Sequence, residues 1–226
     1  MPYPKKKRTT KYVRKGNKGV RQSLKTAIKK EILKATETKH QLVTHTADTS
    51  FGTTLTSPAN WYSLNNINKG TESNERVGNQ VTSSFLDVRG SLLAKGNLQQ
   101  YHKVMVISMN KQSDPLTDLL ENNTGSYSAA TTRLEAIYAR INTAKYRVLA
   151  TRVMKTGTSN GGNSEQLTQM FHMKIPLKGV MEFQEDESVC QKRRIAIIAF
   201  SRDADNTVGS VAVEWTFNSK LYYKDL

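Results

Sequence analysis

The sequence predicts an all-β sandwich domain preceded by a basic, partly helical N-terminal arm, and three observations carry that reading. Apolar residues recur with period two from residue 41 onward. No helix-period segment alternates with those strand-like runs, and positive charge is gathered before residue 40. At 226 residues the chain suits one ordinary domain with an extension, and it can bury a core without cross-links.

The arm is expected over residues 1–39. It holds fourteen Lys and Arg against Glu31 and Glu37, a net +12; the other 187 residues hold 20 basic and 17 acidic side chains, a net +3. Such asymmetry points to a polyanionic partner, and nucleic acid is the commonest. Residues 1–16 have no periodic apolar pattern and cannot offset their ordering entropy, so alone they are expected to be disordered. The candidate nucleic-acid-binding residues are Lys5, Lys6, Lys7, Arg8, Lys11, Arg14, Lys15, Lys18, Arg21, Lys25, Lys29 and Lys30. Lys and Arg bind phosphate by releasing counterions, which is largely blind to base sequence and weakens with salt. Tyr3 and Tyr12 are available to stack on unpaired bases. Pro4-Lys5-Lys6-Lys7-Arg8 matches a short Lys-rich nuclear-import signal; the same residues also read as plain packaging charge, and the two roles are compatible.

Over residues 19–38 the pattern changes. Val20, Leu24, Ile28 and Ile32 recur every four residues with lysines on the other sides, which predicts an amphipathic helix with a narrow apolar stripe. That stripe is too thin for a globular core. It suits a helix that meets copies of itself or rests lightly on the domain.

The domain is expected over residues 40–226. Strands are expected at 41–48, 81–94, 101–109, 145–154, 167–177, 194–201 and 210–217, with a tail strand at 220–223. A polar connection runs through Trp61 and Tyr62 between the first two. Val211, Val213, Trp215 and Phe217 alternate with Ala212, Glu214 and Thr216, as half-buried antiparallel strands do. Asp114-Pro115 is read as opening a short helix over 116–121. Residues 134–138 fit strand or helix, and the Gly-rich stretch 157–164 reads as an exposed loop. About eight strands in one unit, without internal repeats, leave a two-sheet sandwich; the eight-stranded jelly roll fits the count and the length.

Catalytic signatures are missing. The chain has no G-x-x-x-x-G-K, G-x-S-x-G, H-E-x-x-H or C-x-x-C, so it is not expected to be an enzyme. His40, His45, His102 and His172 are scattered over expected strands and read as surface or sheet-face residues. Cys190 stands alone, cannot form an internal disulfide, and is expected to be a small buried hydrophobe. Two oxygen-rich loops, Glu185, Asp186, Glu187 and Asp203, Asp205, are candidate calcium sites completed by a second subunit, although Asp and Asn are also simple turn formers. No apolar run approaches the roughly 18 residues of a membrane helix, and the charged N-terminus lacks the apolar core of a signal peptide. Membrane insertion is not expected.

The segment Glu72-Ser73-Asn74-Glu75-Arg76-Val77-Gly78-Asn79-Gln80-Val81, followed by Leu86-Asp87-Val88-Arg89-Gly90, resembles the entry to an early long strand in coat proteins of small satellite plant viruses. It is also similar to capsid proteins of circular, Rep-encoding single-stranded DNA viruses. The order of arm, arm helix, first strand, polar connection, motif and later strands agrees with both. The resemblance implies a jelly roll assembled as sixty copies in the simplest icosahedral (T=1) shell, with arm helices clustered on its inside, packaging a single-stranded genome. It implies that Arg76 and Gly78 sit at the turn into the strand, where Gly permits a tight or left-handed turn and Arg can hold a loop by forked hydrogen bonds. The Lys-rich cluster at Pro4 to Arg8 departs from the satellite viruses. It favours a DNA genome, with host nuclear-import receptors as further partners, assembly in the host nucleus, and residence in the virion. The alternative, a cellular nucleic-acid-binding protein with a basic tail, would keep cations on its folded part, whereas this domain is nearly neutral.

Overall fold

Strand patterning decides the architecture. A computed structural model describes residues 24–28, 31, 36–51, 61–94, 99–109, 118–121, 125–128, 137–156, 168–203 and 211–226. The chain divides into two compact units, Met1–Glu37 and Thr38–Leu226. In the first, residues 24–28 and Glu31 are helical, while residues 36–38 of the expected helix are not. Leu24 and Ile28 are 59% and 51% exposed. Val20 and Ile32 of the expected stripe lie outside the described residues.

The second unit contains β1 (Lys39–Phe51), β2 (Trp61–Ser63), β3 (Gln80–Ala94), β4 (Gln100–Met109), β5 (Leu120–Glu121), β6 (Tyr127–Ser128), β7 (Tyr146–Thr156), β8 (Thr168–Phe183), β9 (Cys190–Lys192), β10 (Arg194–Asp203) and β11 (Val211–Asp225). One sheet has the order β1-β11-β3-β8-β9 and the other β2-β10-β4-β7; β5 and β6 pair separately. Every ladder between these strands is antiparallel. Setting aside the short β5, β6 and β9, the eight main strands lie first-eighth-third-sixth and second-seventh-fourth-fifth. That wrapping is an eight-stranded jelly roll. The connections 52–60, 95–98, 157–167 and 204–210 leave from one end of the sandwich, and 64–79, 110–145 and 184–189 from the other.

Local pattern explains why the two sheets differ. β8 and β11 alternate, so Phe171, Met173, Ile175, Leu177 and Val213, Trp215, Phe217, Leu221, Tyr223 enter the inter-sheet core while their neighbours face out. β4 and β10 are continuous apolar runs and are buried on both faces. Val104, Val106, Ile195 and Ile197 join the inter-sheet core. Met105, Ile107, Met109, Ile198 and Phe200 form a second core with Leu119 and Leu120 of the β4–β7 connection and Tyr146 at the start of β7. Gly90 leaves no room for a side chain: a Cβ there would lie 2.4 Å from the Thr216 carbonyl oxygen and 2.6 Å from the Phe171 ring.

Several boundaries differ from the sequence reading, each for a physical reason. Trp61 and Tyr62, read as part of a connection, form β2 against β10; a three-residue strand is too short to show a period. The helix expected over 116–121 is not formed at its C-terminal part, since Leu120 and Glu121 pair with Ser128 and Tyr127. Residues 114–117 lie outside the described residues, as do 157–164. The strands expected at 210–217 and 220–223 are one strand. Between them Ser219 is buried and its hydroxyl donates to the Val43 carbonyl at 3.4 Å, so the ladder continues.

His102, read as a surface or sheet-face residue, lies on the inner face of β4 and is fully buried. Its Nδ1 meets the Ser201 hydroxyl and its Nε2 the Thr156 hydroxyl, both at 2.5 Å, which links three strands of the four-stranded sheet. Burial pushes its pKa down to about 4 from an ordinary 6.5. The folded domain therefore holds a neutral imidazole while the unfolded chain takes up a proton below pH 6.5. Stability is full above pH 6.5 and falls as pH drops toward 4, by about 3 kcal/mol in all. Urea titrations from pH 7 to 4 should show this extra slope in the wild type and its loss in His102→Gln. A second expectation follows from the unit boundary: a chain lacking residues 1–37 should keep its β circular dichroism and melt cooperatively, and loss of the fold would place the arm helix in the core.

Candidate functional site

Of the candidate nucleic-acid-binding residues, Lys25 is described, exposed on the 24–28 helix. Lys5, Lys6, Lys7, Arg8, Lys11, Arg14, Lys15, Lys18, Arg21, Lys29 and Lys30, and Pro4 with them, lie outside the described residues. Arg76, Gly78 and the acidic loop 185–187 fall on one end of the sandwich.

Arg76 organises that end. Its side chain is fully buried in the polar connection between β2 and β3. Nη1 donates to the Gly78 carbonyl at 2.6 Å and to Asn79 Oδ1 at 3.1 Å. Nη2 donates to the carbonyls of Gln184 at 2.8 Å, Glu187 at 2.7 Å and, most weakly, Glu185 at 3.5 Å. The guanidinium carbon sits 4.7 Å from the centroid of the Phe183 ring, a cation–π contact. Burial lowers the guanidinium pKa, and the charges of Asp225 and Asp186 oppose that shift. Backbone bonds complete the tie: Arg76 N–H to Asn68 O and Phe183 N–H to Asn79 O, both at 2.9 Å. The chain terminus joins through Lys39, which pairs with Asp225 at 3.1 Å and donates to the Glu75 carbonyl at 2.9 Å.

Gly78 contributes its carbonyl rather than a left-handed turn. Positive φ occurs at Gly125, Gly179 and Arg193 among the described residues, and a Cβ at Gly78 would meet the Leu226 carbonyl oxygen at an ordinary 3.5 Å.

The acidic loop 185–187 caps the β8–β9 hairpin at the same end. Glu185 and Asp186 face Lys69 at 3.6 and 3.8 Å, and Glu187 accepts from the Gln191 amide at 2.6 Å. The backbone carbonyls of Glu185 and Glu187 turn inward to Arg76. Asp203 closes β10 at the opposite end of the sandwich, and Asp205 lies outside the described residues. Among the described residues no three acidic, His or Cys side chains converge on a point that could hold a metal.

Cys190 is buried with its thiol pushed up to about 11 by desolvation, donating to the Lys192 carbonyl at 2.8 Å. Such a thiol is packed and unreactive. His45 packs within the aromatic core, 3.9 Å from the Tyr62 ring and 5.4 Å from Trp215.

Sequence reasoning missed two polar anchors. Asn65 is fully buried and clasps the β9–β10 junction: its amide donates to the Arg193 carbonyl at 3.0 Å, and its oxygen accepts from Ile195 N–H at 2.9 Å. Nothing separates it in sequence from Asn66 and Asn68. Asp87, on the outer face of the five-stranded sheet, accepts from His172 at 2.6 Å and Arg89 at 2.9 Å. Burial raises its pKa, but those hydrogen bonds outweigh that and hold it below the usual carboxylate range.

The chain matches no protein family and no curated protein sequence. Among solved structures it is similar to a chain of turnip yellow mosaic virus, at 12% identity over 84% of this chain and 94% of that one, with a TM-score of 0.33. A chain of an Israeli acute paralysis virus full particle is 8% identical over 84% of this chain and 68% of that one, with a TM-score of 0.35. The VP2 subviral particle of infectious bursal disease virus gives 10% identity over 83% and 33%, with a TM-score of 0.27. The jelly roll of this chain rests on its own strand order.

Arg76→Lys should cost about 3 kcal/mol of unfolding free energy. An ammonium cannot span the same five acceptors and leaves buried carbonyls unpaired. Urea unfolding reads the loss, and hydrogen exchange should speed up at residues 184–189 first; an unchanged midpoint would show that the clamp contributes nothing.

Proposed function

We propose that this chain is the coat protein of a small icosahedral virus, a jelly roll that closes into a shell and packages a single-stranded genome through its arm. The observation that carries the reading is the partition of charge: +11 on residues 1–37 against +4 on the jelly-roll unit of residues 38–226. A polycationic segment joined to a nearly neutral domain suits the enclosure of a polyanion. Sixty arms would supply a charge on the order of 700, enough to neutralise a large part of a genome of about one to two thousand nucleotides. The 24–28 helical stretch, with Leu24 and Ile28 exposed beside Lys25, supports arm helices that meet through their apolar stripe and offer lysines to the strand. DNA is the favoured genome, and the Pro4 to Arg8 cluster is proposed to engage nuclear-import receptors as well.

Light scattering after size exclusion should find megadalton particles; a clean 25 kDa monomer at high concentration and physiological salt would count against a coat protein. Replacing Lys5, Lys6, Lys7, Arg8, Lys11, Arg14 and Lys15 with neutral residues should leave shells that are empty or carry less nucleic acid. Full packaging by that variant would move recognition off the arm.

A further inference from the structure

The bulge at Ser84 places an aromatic side chain where strand alternation would not. Val81 and Ser83 face the core, so an unbroken period would send residue 85 inward too. Instead β3 carries one extra residue against β11, where Phe85 pairs with Tyr222 and Ser83 with Tyr223, while against β8 the extra residue lies on β8, between Gly179 and Pro176. Phe85 therefore turns out, while Leu86, Val88 and Leu92 take the core. Ser83 stays inside, its hydroxyl donating to the Gly179 carbonyl at 3.1 Å. The result, Ser in and Phe out, inverts the usual burial preference.

On the outer face Phe85 is 38% exposed and lies against Tyr222, with ring centroids 4.1 Å apart and planes at 17°. Lys220 reaches within 5.2 Å of the Tyr222 ring centre. The next cross-strand row is Lys220, Asp87 and Lys174, and Arg89 belongs to the row beyond. Asp87 is already engaged by Arg89 and His172. Among the described residues neither Lys174 nor Lys220 makes an ion pair. Rows are about 7 Å apart along a strand, within the length of one nucleotide.

We propose that this face is a stacking platform for single-stranded nucleic acid, in which a base lies on Phe85 and Lys174, Lys220 and Arg89 take neighbouring phosphates. The inference rests on the genome-packaging reading and adds to it a base-contacting surface on the folded domain. Aromatic rings on a sheet flanked by cations bind unpaired bases whatever their identity, because every base has a π face. Charge chooses this occupant over a second copy of the chain, since three cations around one satisfied carboxylate would face like charges on a copy.

Binding of a fluorescent oligothymidine and of an abasic strand of equal length, by the full chain, separates the outcomes. Phe85→Ala and Phe85→Leu should weaken oligothymidine binding about 5- to 100-fold and leave the abasic strand unaffected, with Phe85→Leu retaining the melting temperature. Lys174→Gln with Lys220→Gln should weaken both strands and flatten the salt dependence. Equal loss for both strands in the Phe85 variants would mean the face reads charge alone, as it would for a sulfated polymer, and overturns stacking. No loss for either strand, or a change only in particle mass, would assign the face to another copy and also overturn it. Binding of neither strand by the wild type would defeat the packaging role itself.

Discussion

A single buried guanidinium holds together the end of the sandwich on which the rest of the domain depends. Arg76 bonds to neutral carbonyl and amide oxygens from two loops distant in sequence, one entering β3 and one turning from β8 into β9. A buried charge is costly unless every donor finds an acceptor. The forked geometry of Arg meets most of that demand at once, which a flexible ammonium cannot do. β3 lies between β11 and β8. Fixing its entry therefore fixes the register of the whole five-stranded sheet, and the Lys39–Asp225 pair locks β1 and the terminal strand to the same point.

The two sheets then diverge in what they can do. The four-stranded sheet is covered on its inner face by the partner sheet, and on its outer face Leu119, Leu120, Ala139 and Ile141 pack against it, because β4 and β10 are apolar on both sides. Among the described residues the five-stranded sheet is covered on one face only. Its outer side carries the polar half of each alternating strand, including the Asp87, Arg89 and His172 cluster. A domain that is nearly neutral in total is thus uneven in space. Net charge alone, the ground on which the sequence reading set the folded part aside, misses that unevenness because it sums over faces that point apart.

Acidic residues show the same separation. Glu185, Asp186 and Glu187 sit at one end of the sandwich and Asp203 at the other, so similarity of composition conveyed nothing about proximity. At the first cluster the side chains engage Lys69 and Gln191, and their carbonyls turn to Arg76. Its local chemistry is that of a hairpin fastened to the neighbouring loop.

What the sequence determined by itself was whatever depends on near neighbours. Period-two alternation in β8 and β11, the continuous apolar runs of β4 and β10, and the uneven charge are all written within a few residues of one another. They sufficed for an all-β jelly roll with a basic arm, and the motif around Arg76 marked a real structural centre. Tertiary structure decided what depends on partners far along the chain. Trp61 to Ser63 became a strand because β10 lay beside them. Ser219 continued a strand because the Val43 carbonyl accepted its hydroxyl. His102 stayed neutral because burial among strands distant in sequence stripped it of solvent, and Phe85 faced outward because a bulge shifted the period of β3 against β11. In each case the deciding group lies tens of residues away or more, and a short window of sequence holds the propensity but not the partner.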